Sequence, residues 1–135
     1  MKVVVDTSVW SLAFRRKETS ETVYRKQLGD LISDGRAVLL GSVRQEVLSG
    51  IRHAEQFERL QLALRAFPDL VLETQDFELA AEYFNLCRAN GVQGANTDFL
   101  ICAAAVRHNY EILTTDKDFV LFAQFLPISL YNPVV

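Results

Sequence analysis

The chain begins with Met1-Lys-Val-Val-Val-Asp-Thr-Ser-Val-Trp10, and this stretch decides the fold. Its β-branched run at residues 3–5 has no polar alternation, which predicts a strand buried on both faces. The run ends at Asp6, and two hydroxyl residues that suit the start of a helix follow it. Open α/β sheets bind ligands beyond the carboxyl ends of their strands, so Asp6 occupies a position for a functional carboxylate. Taken alone, Asp6 is more simply explained as a turn residue that caps the next helix.

Beyond this stretch, two kinds of apolar segment alternate along the chain. Short runs bounded by turn residues predict further strands at residues 37–40, 70–72, 111–114 and 128–131. Apolar residues at helical spacing predict helices at residues 9–14, 20–33, 42–51, 57–67, 74–90, 98–108 and 120–125. A capping box from Ser42 to Gln45 is expected to begin the third of these helices. The alternation predicts an α/β protein, namely a single three-layer α/β/α domain over residues 1–135 with a central, mostly parallel sheet of four to five strands.

The composition is that of an ordered globular protein. Of the 135 residues, 50% are hydrophobic and 23% are charged, and no apolar run reaches the roughly 18 residues of a membrane span. The two cysteines, Cys87 and Cys102, lie in predicted helices as small core residues, and no zinc-binding or redox motif is present. We therefore expect a cytoplasmic protein that does not associate with membranes.

The formal net charge is −3, which at first argues against a nucleic-acid partner. The balance depends on where the acidic residues lie. Setting aside five of the 17 acidic residues for one metal site leaves 12 against 14 basic residues, a formal surplus of +2. The net charge therefore does not decide between nucleic acid and other partners.

Five carboxylates are expected at one edge of the predicted sheet. Asp6 follows the first strand, and Glu46 lies in the first turns of the helix after the second strand. Asp98 begins the helix before the fourth strand, and Asp116 and Asp118 follow that strand. Each has a structural alternative, as a solvated helix face, a favourable charge at a helix N-terminus or a cap. Together, several like charges in one concave site repel each other unless a cation is present.

An all-oxygen donor set without cysteine or histidine suits a hard cation, Mg²⁺ or Mn²⁺. Such ions activate a water and stabilise the charge that develops on a phosphoryl group. The chain contains no P-loop and no GxGxxG motif, and no Ser-His-Asp or Cys-His arrangement competes. The pattern therefore points to a metal-dependent phosphodiester hydrolase.

Four segments carry a resemblance to a known family. They are Val-Asp-Thr-Ser-Val-Trp at 5–10, Glu46 after a strand and turn, Asp-Phe-Leu-Ile-Cys-Ala-Ala at 98–104, and Leu-Thr-Thr-Asp-Lys-Asp-Phe at 113–119. They resemble the PIN-domain ribonucleases, in particular the VapC toxins of toxin–antitoxin pairs. The resemblance extends over the whole chain. It implies Mg²⁺-dependent endonucleolytic cleavage of RNA, homodimerisation, and inhibition by a VapB-like antitoxin.

The resemblance also implies roles for individual residues. The metal site would comprise Asp6, Glu46, Asp98 and Asp116, with Asp118 as an additional, more variable acid. The hydroxyl of Ser8, and that of Thr114, would support the leading aspartate or a metal-associated water.

Other polar and aromatic residues remain open between two roles. Four basic residues are candidates for contacts with RNA phosphates, with a solvated loop and helix face as the alternative: Arg15, Arg16, Lys17 and Arg44. His53 and His108 are expected to interact with the terminal carbonyls of helices and not to take part in catalysis. Trp10 and Phe14 are expected in the core or in a partner groove, since the other role, base stacking, is rarer.

Three alternatives to a nuclease toxin follow from the same residues. A housekeeping RNA-processing nuclease would use the same site, and a PIN domain that acts mainly as a binding partner in an antitoxin complex on DNA would keep the fold. A phospho-acceptor signalling module also has an aspartate after its first strands and binds Mg²⁺. That module needs a lysine near the end of the last strand, and residues 126–135 contain none.

Overall fold

The computed structural model describes residues 1–14 and 22–131. Within them, three strands and seven helices follow one another in the order β1 (Val3–Val5), α1 (Thr7–Ala13), α2 (Thr22–Ser33), β2 (Ala37–Val38), α3 (Gly41–Leu48), α4 (Ala54–Leu64), α5 (Thr74–Ala89), α6 (Asn96–His108), β3 (Glu111–Leu113) and α7 (Asp118–Phe122). The predicted α/β class is therefore confirmed. The predicted start of the second helix, at Ser20, lies outside the described residues.

The sheet is parallel and places the first strand at its centre. The strand order is β2-β1-β3, with Val4 of β1 opposite Val38 of β2 and Ile112 of β3. All three valines of β1 are 0% exposed. Because successive side chains of a strand point to opposite faces, helices must cover both faces of the sheet, as the three-layer prediction required.

The expected count of four to five strands is wrong for the described residues, which contain three. In place of the strands predicted at residues 70–72 and 128–131, the structure has two single parallel bridges, one between Leu39 and Asp69 and one between Ile112 and Leu130. The chain joins the sheet only briefly after Pro68, where the Leu70 N–H donates to the Leu39 carbonyl over 3.0 Å. It then leaves, and Val71 is 79% exposed. Since this segment lies at an edge and buries little, no longer pairing is enforced.

The starts of two helices show which residues cap them, and the first of these corrects a predicted cap. Helix α3 begins at Gly41 with Leu40 at the N-cap, so Ser42 lies inside the first turn and the predicted capping box does not form. Helix α5 begins after Glu73, whose N–H donates to Asp76 Oδ2 over 2.7 Å. The acid at the third helical position caps the helix, and the hydroxyl of Thr74 does not.

Helices α5 and α6 form the most closely packed helix pair. Helix α6 buries a run of small residues, including Ala103, Ala104 and Ala105, which lets its neighbours approach closely. At its start, Gly94 leaves room for two aromatic rings: a Cβ there would lie 2.6 Å from Phe122 Cζ and 3.0 Å from Phe99 Cε2. The rings fill the space that a side chain would take.

An ion pair between a buried carboxylate and a solvent-exposed guanidinium joins the same two helices. Asp76 of α5 is 0% exposed, and its Oδ1 lies 2.7 Å from Arg107 Nη1 of α6. Burial alone would raise the pKa of Asp76, but the Glu73 N–H and the Arg107 guanidinium hold it below its usual value. This pair lies at the opposite end of α6 from Asp98.

In the part of the chain that the structure describes, no helix combines the length and the apolar character that a membrane span requires.

Candidate active site

Two hydroxyl groups hold Asp6, one from the first turn of α1 and one from the loop after β3. It occupies the N-cap position of α1 but makes no side-chain cap to that helix. Its Oδ2 accepts hydrogen bonds from Ser8 Oγ at 2.8 Å and from Thr114 Oγ1 at 2.7 Å. With 5% of its surface exposed, Asp6 is one of only two buried acidic residues in the described chain. The cap explanation of Asp6 is therefore insufficient.

The two hydroxyl groups also join the carboxyl ends of β1 and β3. Thr114 Oγ1 accepts a hydrogen bond from the Asp116 N–H at 2.9 Å, and Ser8 Oγ accepts one from the Thr115 N–H at 3.1 Å. Each hydroxyl thus donates to the carboxylate and accepts from the loop after β3. The orientation of Asp6 and the course of that loop are consequently set by the same two side chains.

The other three carboxylates come from separate elements. Glu46, in α3, accepts a hydrogen bond from Thr7 Oγ1 at 2.6 Å. Asp98, in the first turn of α6, accepts one from the Ala95 N–H at 2.9 Å through Oδ2. Asp116 Oδ1 accepts one from the Asp118 N–H at 2.9 Å. One oxygen fixes each of these two aspartates, and the second oxygen accepts no hydrogen bond from the described residues.

Three carboxylates lie close enough to Asp98 for their charges to act on it. Burial, together with the charges of Asp6, Asp116 and Glu46, raises the pKa of Asp98 to about 6, against the hydrogen bond from the Ala95 N–H, which lowers it. Burial also raises the pKa of Asp6, opposed by the hydrogen bonds from Thr114 and Ser8 and reinforced by the charge of Asp116. A cation bound near Asp6 and Asp98 would offset the repulsion from the neighbouring carboxylates.

The donor set fits a hard divalent cation, although no chelate is preformed. Within residues 1–14 and 22–131, no three side chains of Asp, Glu, His or Cys already lie together as ligands of one ion. The available donors are carboxylate oxygens, with free oxygens on Asp98 and Asp116, which suits a cation of the Mg²⁺ class. Such ions retain several waters and need only one or two direct carboxylates, so a looser arrangement still fits.

The remaining candidates lie at the margin of the site or outside it. Asp118 is exposed at the start of α7, and it is not among the carboxylates that raise the pKa of Asp98. Arg44 has protein partners: its guanidinium donates to the Leu64 and Phe67 carbonyls and to Asp69. The predicted basic segment of Arg15, Arg16 and Lys17 lies outside the described residues.

The two aromatic residues and the two histidines differ in their burial and in their contacts. Trp10 is 1% exposed, donates from Nε1 to the Val5 carbonyl and meets the Phe67 ring edge-on, which makes it a core residue. Phe14 is 38% exposed. His108 Nδ1 lies 2.8 Å from the Ala104 carbonyl near the end of α6, whereas His53 is the N-cap of α4 without a side-chain cap.

Sequence reasoning missed Thr7. The sequence indicates functional roles for its neighbours Asp6 and Ser8, whereas for Thr7 it indicates only a residue suited to a helix start. The structure shows that it holds Glu46, which lies 39 positions away. No local pattern marks this contact, because it depends on how α1 and α3 pack against each other.

Comparisons with known proteins support one family. A family model described as "PIN domain" matches residues 3–124. Ribonuclease VapC11 of Mycobacterium tuberculosis is 30% identical over 127 residues, which cover 90% of this chain and 92% of that protein. The structure of FitAcB from Neisseria gonorrhoeae has a TM-score of 0.76 at 19% identity and covers 97% of both chains. VapBC2 from Rickettsia felis, solved bound to a DNA fragment from their promoter, has a TM-score of 0.75 at 18% identity over 98% of both chains. At such identities the two structures establish the fold alone.

Proposed function

This chain belongs to the PIN-domain family, and from that premise we propose that it is a metal-dependent endoribonuclease acting as the toxin of a toxin–antitoxin pair. The observation that carries the proposal is the convergence of Asp6, Glu46, Asp98 and Asp116 from four separate elements on one edge of the sheet. The family match over residues 3–124 also supports a single domain and leaves no support for a phospho-acceptor module.

We assign the site residues by what each side chain contacts. Asp6, Asp98 and Asp116 are the proposed metal ligands together with Glu46, and Asp118 is an additional acid at the margin. Ser8 and Thr114 position Asp6 through their hydroxyl groups. Arg15, Arg16 and Arg44 remain proposed phosphate contacts, and for Arg44 this would require an exchange of its present partners.

The proposed reaction is hydrolysis of an RNA phosphodiester by water. A divalent cation, Mg²⁺ or Mn²⁺, would lower the pKa of the attacking water and offset the charge that builds on the phosphate. The chain's own contribution is a set of carboxylates that hydrogen bonds orient individually, namely those to Asp6, Glu46, Asp98 and Asp116. Such preorganisation removes a reorganisation cost from the reaction step.

The partners follow from relatives with the same fold. The Rickettsia felis neighbour was solved as a VapBC complex, which supports a VapB-like antitoxin as the cognate partner of this chain. We propose that the protein forms a homodimer and acts in the cytoplasm, where its RNA substrates are found. Exposed apolar side chains outside the acidic edge, such as Phe14 and Leu62, provide surface for such contacts.

The test is cleavage of tRNA and rRNA by the purified protein with Mg²⁺, with Mn²⁺ and with EDTA. The Asp98→Asn variant should be inactive, while the matched variant Asp34→Asn, at the amino edge of the sheet before β2, should keep full activity. Cleavage that persists in EDTA or in the Asp98→Asn variant would refute the assignment. Growth arrest on expression without the neighbouring antitoxin gene would distinguish a toxin from a housekeeping nuclease.

A further inference from the structure

A polar cleft adjoins the acidic cluster on the α3 side. Its volume is about 580 Å³, and it shares Glu46 and Thr7 with the proposed metal site. Residues from three helices, α1, α3 and α6, and the cap that follows α3 line it: Thr7, Ser42, Gln45, Glu46, Ser49 and Thr97. The cleft is large enough for a sugar or a base, since ligand pockets begin at roughly 300 Å³.

The described part of the lining carries no cationic or aromatic side chain. Apart from Glu46, its described residues have hydroxyl or amide side chains, and none of them is a lysine, an arginine or an aromatic residue. Hydroxyl and amide side chains contact sugar as well as phosphate oxygens, whereas ion pairing with phosphate uses lysine and arginine and base stacking uses aromatic rings. Neutral donors and acceptors instead match ribose hydroxyls and the edges of unstacked bases.

Two of these polar groups are without partners in the described chain. Ser42 Oγ is buried and makes no hydrogen bond. The side chain of Gln45 is exposed, and no contact with a described residue ties it down. Both project from the same face of α3, three residues apart, with Glu46 next to Gln45. A buried hydroxyl without a partner lowers stability, and a ligand contact made after a change of the Ser42 rotamer would remove that penalty.

We propose that this cleft binds the ribose and base edge of the nucleotide beside the scissile phosphate, with Gln45 and Ser42 as the residues that contact them. The inference rests on the proposed nuclease function and specifies its substrate side. A glutamine amide offers one acceptor and two donors, so it discriminates between base edges, and a hydroxyl contact to the 2′-OH distinguishes RNA from DNA.

The test uses two variants that remove polar groups and leave the carboxylates intact. Gln45→Met keeps length and helix propensity, and Ser42→Ala removes only the hydroxyl that lacks a partner. Chemical-shift titrations of the metal-free protein with the four ribonucleoside 5′-monophosphates and their 2′-deoxy counterparts measure binding directly. Cleavage of RNAs that differ only in the nucleotides flanking the cut measures specificity. Gln56→Met, an exposed glutamine in α4, is the matched control.

We expect ribonucleotides to shift the resonances of α3. Each variant should weaken this binding roughly 5-fold, which corresponds to the loss of one hydrogen bond. Gln45→Met should also reduce the nucleotide preference at one position that flanks the cut. Ser42→Ala should unfold at the same or a higher temperature, which a merely structural hydroxyl would not permit. The subsite is refuted if wild-type α3 does not respond to ribonucleotides, or if Gln45→Met leaves both affinity and flanking preference unchanged. Ribonucleotide binding in the cleft of a protein that cuts no RNA would refute the nuclease proposal and uphold the subsite.

Discussion

Replacing Asp98 with asparagine should stabilise the metal-free protein while it abolishes metal-dependent activity. Burial and three neighbouring carboxylates raise the pKa of Asp98 from 3.8 to about 6, so folding disfavours its ionised form. The amide of asparagine removes the charge, and its carbonyl oxygen can still accept the hydrogen bond that the Ala95 N–H donates to Asp98. The variant therefore removes the repulsion and keeps the cap of α6.

The size of the effect follows from the pKa. A rise from 3.8 to about 6 corresponds to about 3 kcal/mol of lost stability when the carboxylate is ionised. The side chain is partly exposed, and screening by solvent reduces this to about 1–2 kcal/mol. For a chain of this length, such a difference raises the unfolding temperature by about 3–6 °C. The penalty is absent below pH 3.8, grows as the pH rises through about 6, and is complete at pH 8.

The assay is urea and thermal unfolding in EDTA between pH 4 and pH 8, repeated with Mg²⁺ or Mn²⁺. The stability gain of Asp98→Asn should be largest at pH 8 and vanish near pH 4. Metal should stabilise the wild type and have little effect on the variant, since the ligand charge is gone. An Asp98→Asn protein that is no more stable than wild type at pH 8 in EDTA, beside an unchanged Asp34→Asn control, would refute the crowding of carboxylates at this site.

Three further substitutions test other parts of the structure. Thr114→Val removes the hydroxyl that orients Asp6, and kcat should fall about 10–100-fold in steady-state cleavage assays with the unfolding temperature little changed; an unaltered kcat would contradict the positioning role. Asp76→Asn breaks the pair between this buried carboxylate and the exposed guanidinium of Arg107 and should cost about 1–2 kcal/mol in urea unfolding at neutral pH, a loss that fades in acid as the wild-type carboxylate itself protonates through its lowered pKa. Gly94→Ala pushes a methyl group into two aromatic rings and should cost about 1–3 kcal/mol by thermal unfolding; a neutral result would mean that the rings shift freely.

The sequence predicted those elements whose residues act locally. The β-branched run before Asp6 and the apolar stretch after Asp98 identified β1 and α6, because strands and helices buried on most sides need little besides apolar side chains. The convergence of the acids followed from one topological rule, that the carboxyl ends of parallel strands share an edge. Once this rule is applied, the position of each acidic residue relative to the predicted strands identifies which side chains lie at that edge.

Features that depend on packing between distant segments could not be predicted. The segment at residues 70–72 has strand composition, yet it pairs only through Asp69 and Leu70, because an exposed edge does not hold it in the sheet. The predicted Ser42 capping box does not form because α3 begins at Gly41 with Leu40 at its N-cap, so Ser42 lies inside the first turn. The Thr7 contact with Glu46 likewise depends on the approach of two helices, which no local spacing encodes.

The hydrogen bond from Thr114 to Asp6 joins residues that lie 108 positions apart, and this separation has a consequence for synthesis. The ribosome makes the chain from its amino end, so β1 leaves the exit tunnel long before β3 exists. Until residues 111–116 have emerged, Asp6 lacks its main supporting hydroxyl and Asp116 is missing from the cluster. The proposed metal site is therefore incomplete until β3 and the loop that follows it have been made. Fragments that end before β3 would lack both Thr114 and Asp116, so the proposed site could not form in them.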